Sequence, residues 1–266
     1  MIRNLFDGFQ KRGPERQIGP VSFVDVHCHL LPGLDDGPET TPAAIELLWQ
    51  ASRTGTTCVV TTPHGGDRGR SDSIHRLEDA FGELNRSVAE VGPDIQLVLG
   101  MEIPLELNIA SGIGEGRLLT LNQSRYVLIE LPFEFLPPRW EEVLFDVQLA
   151  GYWPIIAHPE RQAQIQKNPR LTRGLRERGV LLQLTAGSLL GRFGHEARAT
   201  ADTLLTEDYP TIIASDAHEP SGRRNPSLDE ALTAATKLVG EGRALDTVST
   251  NPRAIVEGRR IELPEG

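Results

Sequence analysis

The stretch FVDVHCHLLPGLDDG, Phe23–Gly37, decides how the chain is read. It starts as an apolar run of strand size. It then presents two histidines one residue apart and, after a short turn, two aspartates beside a glycine. In an extended strand residues i and i+2 face the same side, so His27 and His29 can bind one ion together. Taken alone, the Asp-Gly pair fits an ordinary turn just as well. The choice depends on what the chain places at the ends of its other apolar runs.

The run Phe23–His27 recurs in kind at Thr57–Thr62, Gln96–Met101, Tyr126–Leu131, Trp153–Ala157, Leu181–Thr185 and Thr211–Ser215. Most are continuously apolar and rich in Val, Ile, Leu and Thr, as parallel strands covered on both faces are. Between them lie helix-length segments. TTPAAIELLWQASRTG carries a Thr cap, a first-turn Pro and a terminal Gly. SDSIHRLEDAFGELNRSVAEVG has apolar residues three and four apart, and PPRWEEVLFDVQLAG, NPRLTRGLRERG, HEARATADTLLTED and NPSLDEALTAATKLVGEG read similarly. This alternation predicts a parallel α/β architecture, and seven strands in this rhythm suggest a closed or nearly closed barrel.

Composition narrows the function. With 266 residues, 39% of them hydrophobic and 24% charged, the chain can build a real core. A net charge of −10 argues against nucleic acid as a partner. There is no apolar run of about 18 residues, so no membrane insertion is expected. Residues 1–20 read as a polar leader without the apolar core of a signal peptide, so a cytoplasmic protein is expected. Cys28 and Cys58 stand in separate apolar runs and read as buried thiols. Neither has an arginine six residues on, only Leu34 and His64, so a Cys-x5-Arg phosphatase loop is excluded.

The chemistry sits at the run ends. His27, His29, His64, His158 and His218 are five of the seven histidines, and Glu102, Glu130 and Asp216 share such positions. Any one of these histidines could be a half-buried side chain satisfied by a neighbour. So many together point to metal, because all strands of a parallel barrel deliver their C-terminal ends to one face. His75, inside a helical pattern, and His195, near a helix start, read as surface residues. Imidazoles mixed with carboxylates suit Mn, Fe, Zn or Co, and the set, with Asp36 counted, exceeds what one ion takes. Glu102 is the candidate bridge. Paired metals are suited to splitting phosphate esters. Arg161, after His158, and Arg223, after His218, are the candidate anion clamp, with Arg224 ranked behind them.

Read in order, HCH…DDG, TPH, GMEIP, LIELP, AHPER and ASDAH resemble the PHP (polymerase and histidinol phosphatase) superfamily. Within it, DDG, IAHPER and SDAH…GRR…NP are similar to the bacterial manganese-dependent protein tyrosine phosphatases of capsule and exopolysaccharide loci. The resemblance covers about residues 22–258. It implies a distorted (β/α)7 TIM-like barrel of the PHP type over residues 21–262, holding three ions, Mn2+ first among the candidates. His27, His29, Glu102 and Asp216 would hold one ion, and Glu102, Glu130 and His158 a second. Asp36, His64 and His218 would hold the third, and Arg161 and Arg223 the substrate phosphate. Asp36 and His64 are also the candidates to protonate the leaving oxygen.

The implied activity is hydrolysis of phosphotyrosine on a protein tail, with a bacterial tyrosine autokinase as partner, by in-line attack of a metal-activated hydroxide. Self-association is compatible with the sequence. The alternatives are a small phosphoester such as histidinol phosphate, or a non-catalytic metal-binding role in polysaccharide assembly. Amidohydrolase barrels often bridge their metals with a modified lysine at a strand end, but Lys11, Lys167 and Lys237 all lie elsewhere. Within the opening stretch, Asp36 is expected at the metal and Asp35 in the loop that carries it.

Overall fold

The structure, a computed structural model, describes residues 22–65, 74–105 and 108–263. The leader 1–20 and nearly all of the segment GGDRGRSDS, residues 65–73, lie outside the described residues. Among the described residues there are eight strands: β1 (Phe23–Cys28), β2 (Thr56–Thr61), β3 (Gln96–Leu99), β4 (Glu102–Pro104), β5 (Tyr126–Glu130), β6 (Trp153–Ala157), β7 (Leu181–Thr185) and β8 (Thr211–Ala214). All recorded pairings are parallel, and the strands form two sheets, β1-β2-β3 and β4-β5-β6-β7-β8.

The seven apolar runs are all strands, but the third is split. β3 pairs with β2 as far as Leu99, and β4 pairs with β5 from Glu102 onward. The step falls at Gly100, where an added Cβ would lie 2.8 Å from Leu121 Cδ2 and 3.0 Å from Val60 Cγ1. A side chain there would have to push Leu121 and Val60 aside. Two bridges link the sheets at the strand ends, Cys28 with Ala217 and His64 with Glu102.

The five longest helices among the described residues cover the strands, with shorter ones between them: α1 (Thr41–Arg53), α2 (Ile74–Val91), α3 (Trp140–Leu149), α4 (His195–Thr206) and α5 (Leu228–Val239). Thr40 caps α1 by accepting the Ala43 N–H, and Pro42 fits the first turn, where no helical partner is needed for its nitrogen. The segment NPRLTRGLRERG does not form one helix. It gives two single turns, Pro169–Thr172 and Arg173–Arg176. No described helix is long and apolar enough to cross a membrane.

Alternate strand residues divide between two apolar layers. Val24, Val60, Val98, Leu128, Ile155 and Ile212 belong to an inner cluster. Val59, Leu97, Val127, Ile129, Ile156 and Ile213 join the outer one, with Leu47, Leu84, Leu144 and Leu204 of the helices. Both faces of each strand are therefore buried, which is why the runs are continuously apolar. Cys28 and Cys58 are buried and unpaired, and burial pushes the Cys58 thiol up to about 11.

One polar contact ties the first strand to the last. Asp25 is buried and accepts the Ser215 N–H at 3.0 Å and the Ser215 hydroxyl at 2.5 Å. Ser215 Oγ in turn accepts the Ala217 N–H at 3.0 Å, which shapes the turn carrying Asp216. Ser215→Ala leaves a buried Asp25 oxygen without its donor. It should cost about 1–3 kcal/mol in urea unfolding, and a loss within experimental error would remove this clasp from the fold's stability.

Candidate metal centre

The strand ends converge their polar side chains on one place. A register irregularity in β1 between Asp25 and Cys28 lets Val26 join the inner apolar cluster while His27, beside it, reaches the site. The bridge from His64 to Glu102 sets those two side by side, and Glu102 N donates to Pro63 O at 3.1 Å. His158 and Asp216 sit in the left-handed region, with φ of 32° and 50°. Each such residue costs on the order of 1–3 kcal/mol, strain that concentrates at functional sites.

The result is four overlapping groups of ligand-type atoms: His29, Asp36, His64 and His218; His27, His29 and Asp216; His27, Glu102 and His158; and His64, Glu102 and Glu130. Every residue read as a metal ligand in the sequence is among them. Glu102 and Asp216 are buried, whereas the Asp36 side chain is 41% exposed and that of Glu130 13%. The centre is thus closed below and open at Asp36. A separate cavity of about 450 Å³, lined by Tyr209, Arg243 and Asn251, lies beside Thr211 at the start of β8, away from these histidines.

The outer nitrogens of three imidazoles fix where the inner ones point. His27 Nδ1 donates to Gln183 Oε1 at 2.8 Å, His29 Nδ1 to Asp35 Oδ2 at 2.7 Å, and His218 Nδ1 to the Asp216 carbonyl at 2.9 Å. Each Nδ1 must therefore carry hydrogen, and in a neutral ring each Nε2 is a bare lone pair. Those lone pairs face other electron-rich atoms. The Nε2 atoms of His27 and His29 are 3.2 Å apart, and His218 Nε2 lies 3.1 Å from Asp36 Oδ1. His64 Nδ1 is 2.9 Å from Glu102 Oε2. Lone pairs and carboxylates packed this closely are what a cation resolves, so the donor set fits metal binding.

The electrostatics agree. Burial opposes a charge on His27, but Glu102 and Asp216 hold it up to about 9. Burial likewise opposes a charge on His64, but Asp36 and Glu102 hold it up to about 10. Although burial pushes the other way, His27 and His158 hold Glu102 well below the usual carboxylate range. Hydrogen bonds from His218 and then His64 hold Asp36 below it too. Burial and the neighbouring His29 push His218 down to about 4.

Asp35 sits behind the ligands. It holds His29 and also accepts the Gly37 N–H at 2.9 Å, which shapes the turn presenting Asp36. The arginines are arranged differently from their sequence ranking. Arg161 Nη1 lies 2.8 Å from Asp216 Oδ2. Arg224 contacts both Asp36, at 3.0 Å, and Asp216, at 3.2 Å. Arg223 is exposed, with its guanidinium 5.1 Å from the centre of the Phe193 ring. His75 is exposed beside Glu78, and His195 is exposed at the first position of α4. Phe133 and Phe135 are 37% and 63% exposed, whereas Trp140 packs into the outer core. Gln183, which sets the His27 tautomer, was not among the residues singled out from sequence. Its signal is a lone polar residue in LLQLT.

The family described as "Capsular polysaccharide synthesis, CpsB/CapC" matches residues 23–257. The chain is 35% identical over 218 residues to Tyrosine-protein phosphatase YwqE of Bacillus subtilis (strain 168), covering 82% of this chain and 85% of that protein. It is 26% identical over 244 residues to Tyrosine-protein phosphatase CpsB of Streptococcus pneumoniae, covering 90% and 100%. A structure from the work on "YwqE from Bacillus subtilis and CpsB from Streptococcus pneumoniae, unique metal-dependent tyrosine phosphatases" superposes with a TM-score of 0.85 at 33% identity, covering 90% of this chain and 96% of that one. A beta-aspartyl dipeptidase from Fervidobacterium islandicum AW-1, 18% identical with a TM-score of 0.51 and 90% and 76% coverage, shares the fold.

Protons and metal compete for the same imidazole nitrogens. His27 and His64 hold protons up to about 9 and 10, so metal binding near neutral pH should release them. Calorimetric titration of metal into metal-free protein, in buffers of differing ionisation enthalpy, should show net proton release that shrinks as pH rises above these values. Binding without proton release would contradict the assignment of these two histidines.

Proposed function

This chain belongs to the CpsB/CapC capsular polysaccharide synthesis family, and from that premise we propose that it is a metal-dependent phosphatase removing phosphate from tyrosine on a protein partner. The two sheets, linked by bridges at Cys28–Ala217 and His64–Glu102, are read as one distorted barrel of the PHP type. What supports the function most is the convergence of the Nε2 atoms of His27, His29 and His218 on Asp36, Glu102 and Asp216, with Arg161 already at Asp216.

In this reading His27, His29, Glu102 and Asp216 hold one ion; Glu102, Glu130 and His158 a second; and Asp36, His64 and His218 a third. Manganese is the favoured metal. Such ions supply Lewis acidity toward phosphoryl oxygens and lower the pKa of water. The chain's own residues do the rest. Gln183, Asp35 and the Asp216 carbonyl fix three imidazoles so that their Nε2 atoms face inward. Arg161 and Arg223 are read as binding the phosphoryl oxygens, and Arg224, turned inward to Asp36 and Asp216, adds to the local positive charge in a protein of net charge −10. Asp36 and His64, at the open side, are the candidates to protonate the leaving oxygen, and of the two His64 is the one that holds a proton near neutral pH, up to about 10. Tyrosinate, from a phenol of pKa about 10, needs little such help.

The opening beside Asp36 suits a phosphotyrosine on an extended tail, and the partner proposed is a tyrosine autokinase of polysaccharide synthesis. Residues 21–262 are taken as one catalytic domain, acting in the cytoplasm.

Chelation should abolish hydrolysis of a phosphotyrosine peptide, and manganese should restore it. Full activity in metal-free protein would overturn the mechanism, and faster turnover of histidinol phosphate than of the peptide would move the substrate to the small-molecule class. Arg161→Ala should raise KM by about tenfold, the scale of a lost charge-assisted hydrogen bond, with metal content unchanged. Unaltered kinetics would remove Arg161 from phosphate binding.

A further inference from the structure

The Phe193 ring has both arginines against it. Its ring centre is 4.4 Å from the Arg161 guanidinium carbon and 5.1 Å from that of Arg223. These arginines come from distant parts of the chain, one after β6 and one after β8, and both lie against the one aromatic ring. Arg161 has a second ring against it, Phe133 at 4.8 Å, and Phe133 stacks on His158 with ring centres 5.4 Å apart. Arg223 is exposed, and among the described residues its guanidinium has no ion-pair partner. Among the described residues, the Phe193 ring is what lies against it.

Phe193 is not simply core. It is half-buried and belongs to neither apolar cluster. Its seat is made by Gly187, where an added Cβ would lie 2.7 Å from Phe193 Cε2 and 3.4 Å from the Arg223 carbonyl oxygen. The absent side chain at position 187 thus lets the ring lie where both arginines reach it. Like charges brought to one place repel, and a ring face offsets part of that cost through its negative quadrupole. A flat guanidinium laid on a ring also loses rotational freedom before ligand arrives, which lowers the entropy cost of binding.

We propose that Phe193 is a positioning residue, the shared aromatic support that holds Arg161 and Arg223 ready for the substrate phosphoryl group. It rests on the reading of these arginines as the phosphate clamp. It predicts an effect on phosphate affinity separate from metal binding, because no recorded Phe193 ring contact involves a metal-ligand candidate.

The test uses the metal-loaded full chain, with para-nitrophenyl phosphate as substrate and inorganic phosphate as competitive inhibitor. Phe193→Leu should raise KM and the phosphate inhibition constant together by about fivefold, the scale of cation–π contacts. Its kcat should stay within about twofold and its metal content should be unchanged. Phe193→Tyr should restore both constants, and Gly187→Ala, which crowds the ring from its seat, should shift them in the same direction as leucine. Arg161→Ala and Arg223→Ala run alongside. If both leave the phosphate constant unchanged, the clamp itself is wrong. If they weaken phosphate binding but Phe193→Leu does not, only the support role falls. Loss of metal in Phe193→Leu, or failure of tyrosine to rescue, would make the role structural and overturn the proposal.

Discussion

Imidazole lone pairs and carboxylates crowded into a buried space without cations among them would be mutually repulsive. His27 and His29 point Nε2 at each other across 3.2 Å, and Glu102 is surrounded by His27, His64 and His158. Much of the surrounding structure serves this constraint. Gln183 and Asp35 spend their hydrogen-bonding capacity on the outer faces of the rings. Two of the five described non-glycine residues in the left-handed region, His158 and Asp216, are at the centre. The apolar double layer beneath makes such strain tolerable, because rigid, fully covered strands fix where each strand end lies.

The same constraint explains how strand ends from a long chain become one site. Backbone hydrogen bonds continue past the strands through the ligands. Asp216 N donates to His27 O at 2.8 Å, Glu102 N to Pro63 O at 3.1 Å and Leu105 N to Glu130 O at 3.0 Å. The residues that carry chemistry are thus pinned by main-chain contacts rather than by side-chain packing alone. The Asp25–Ser215 clasp works one step below, setting the turn that delivers Asp216 and His218.

Much of this was legible in the sequence, and the reasons are specific. Apolar runs covered on both faces have no polar alternation to blur them, so each polar residue at a run end stands out. That exposed His27, His64, Glu102 and His158 at once. The division of labour between Asp35 and Asp36 followed from the loop's need to return over the site. The break at Gly100 was not visible, because it depends on Leu121 and Val60, which are distant in sequence. Nor was the inward turn of Arg224 rather than Arg223. It follows from the turn Glu219–Arg224, where Gly222 takes φ 109° and Glu219 accepts the Arg224 N–H at 3.1 Å. Adjacent arginines cannot be told apart without that turn. Gln183 was hidden differently: a single glutamine in a strand carries no motif, and its role appears only when His27 lies against it.

The central claim is that His27, His29, Asp36, His64, Glu102, Glu130, His158, Asp216 and His218 together hold divalent metal. Crystals of the manganese-loaded protein, measured for anomalous scattering at the manganese edge, test it most directly. The expected result is strong peaks enclosed by these side chains, with the Nε2 atoms of His27 and His29 bound to one peak. A map with no anomalous peak among them, from protein that hydrolyses phosphotyrosine, would contradict it.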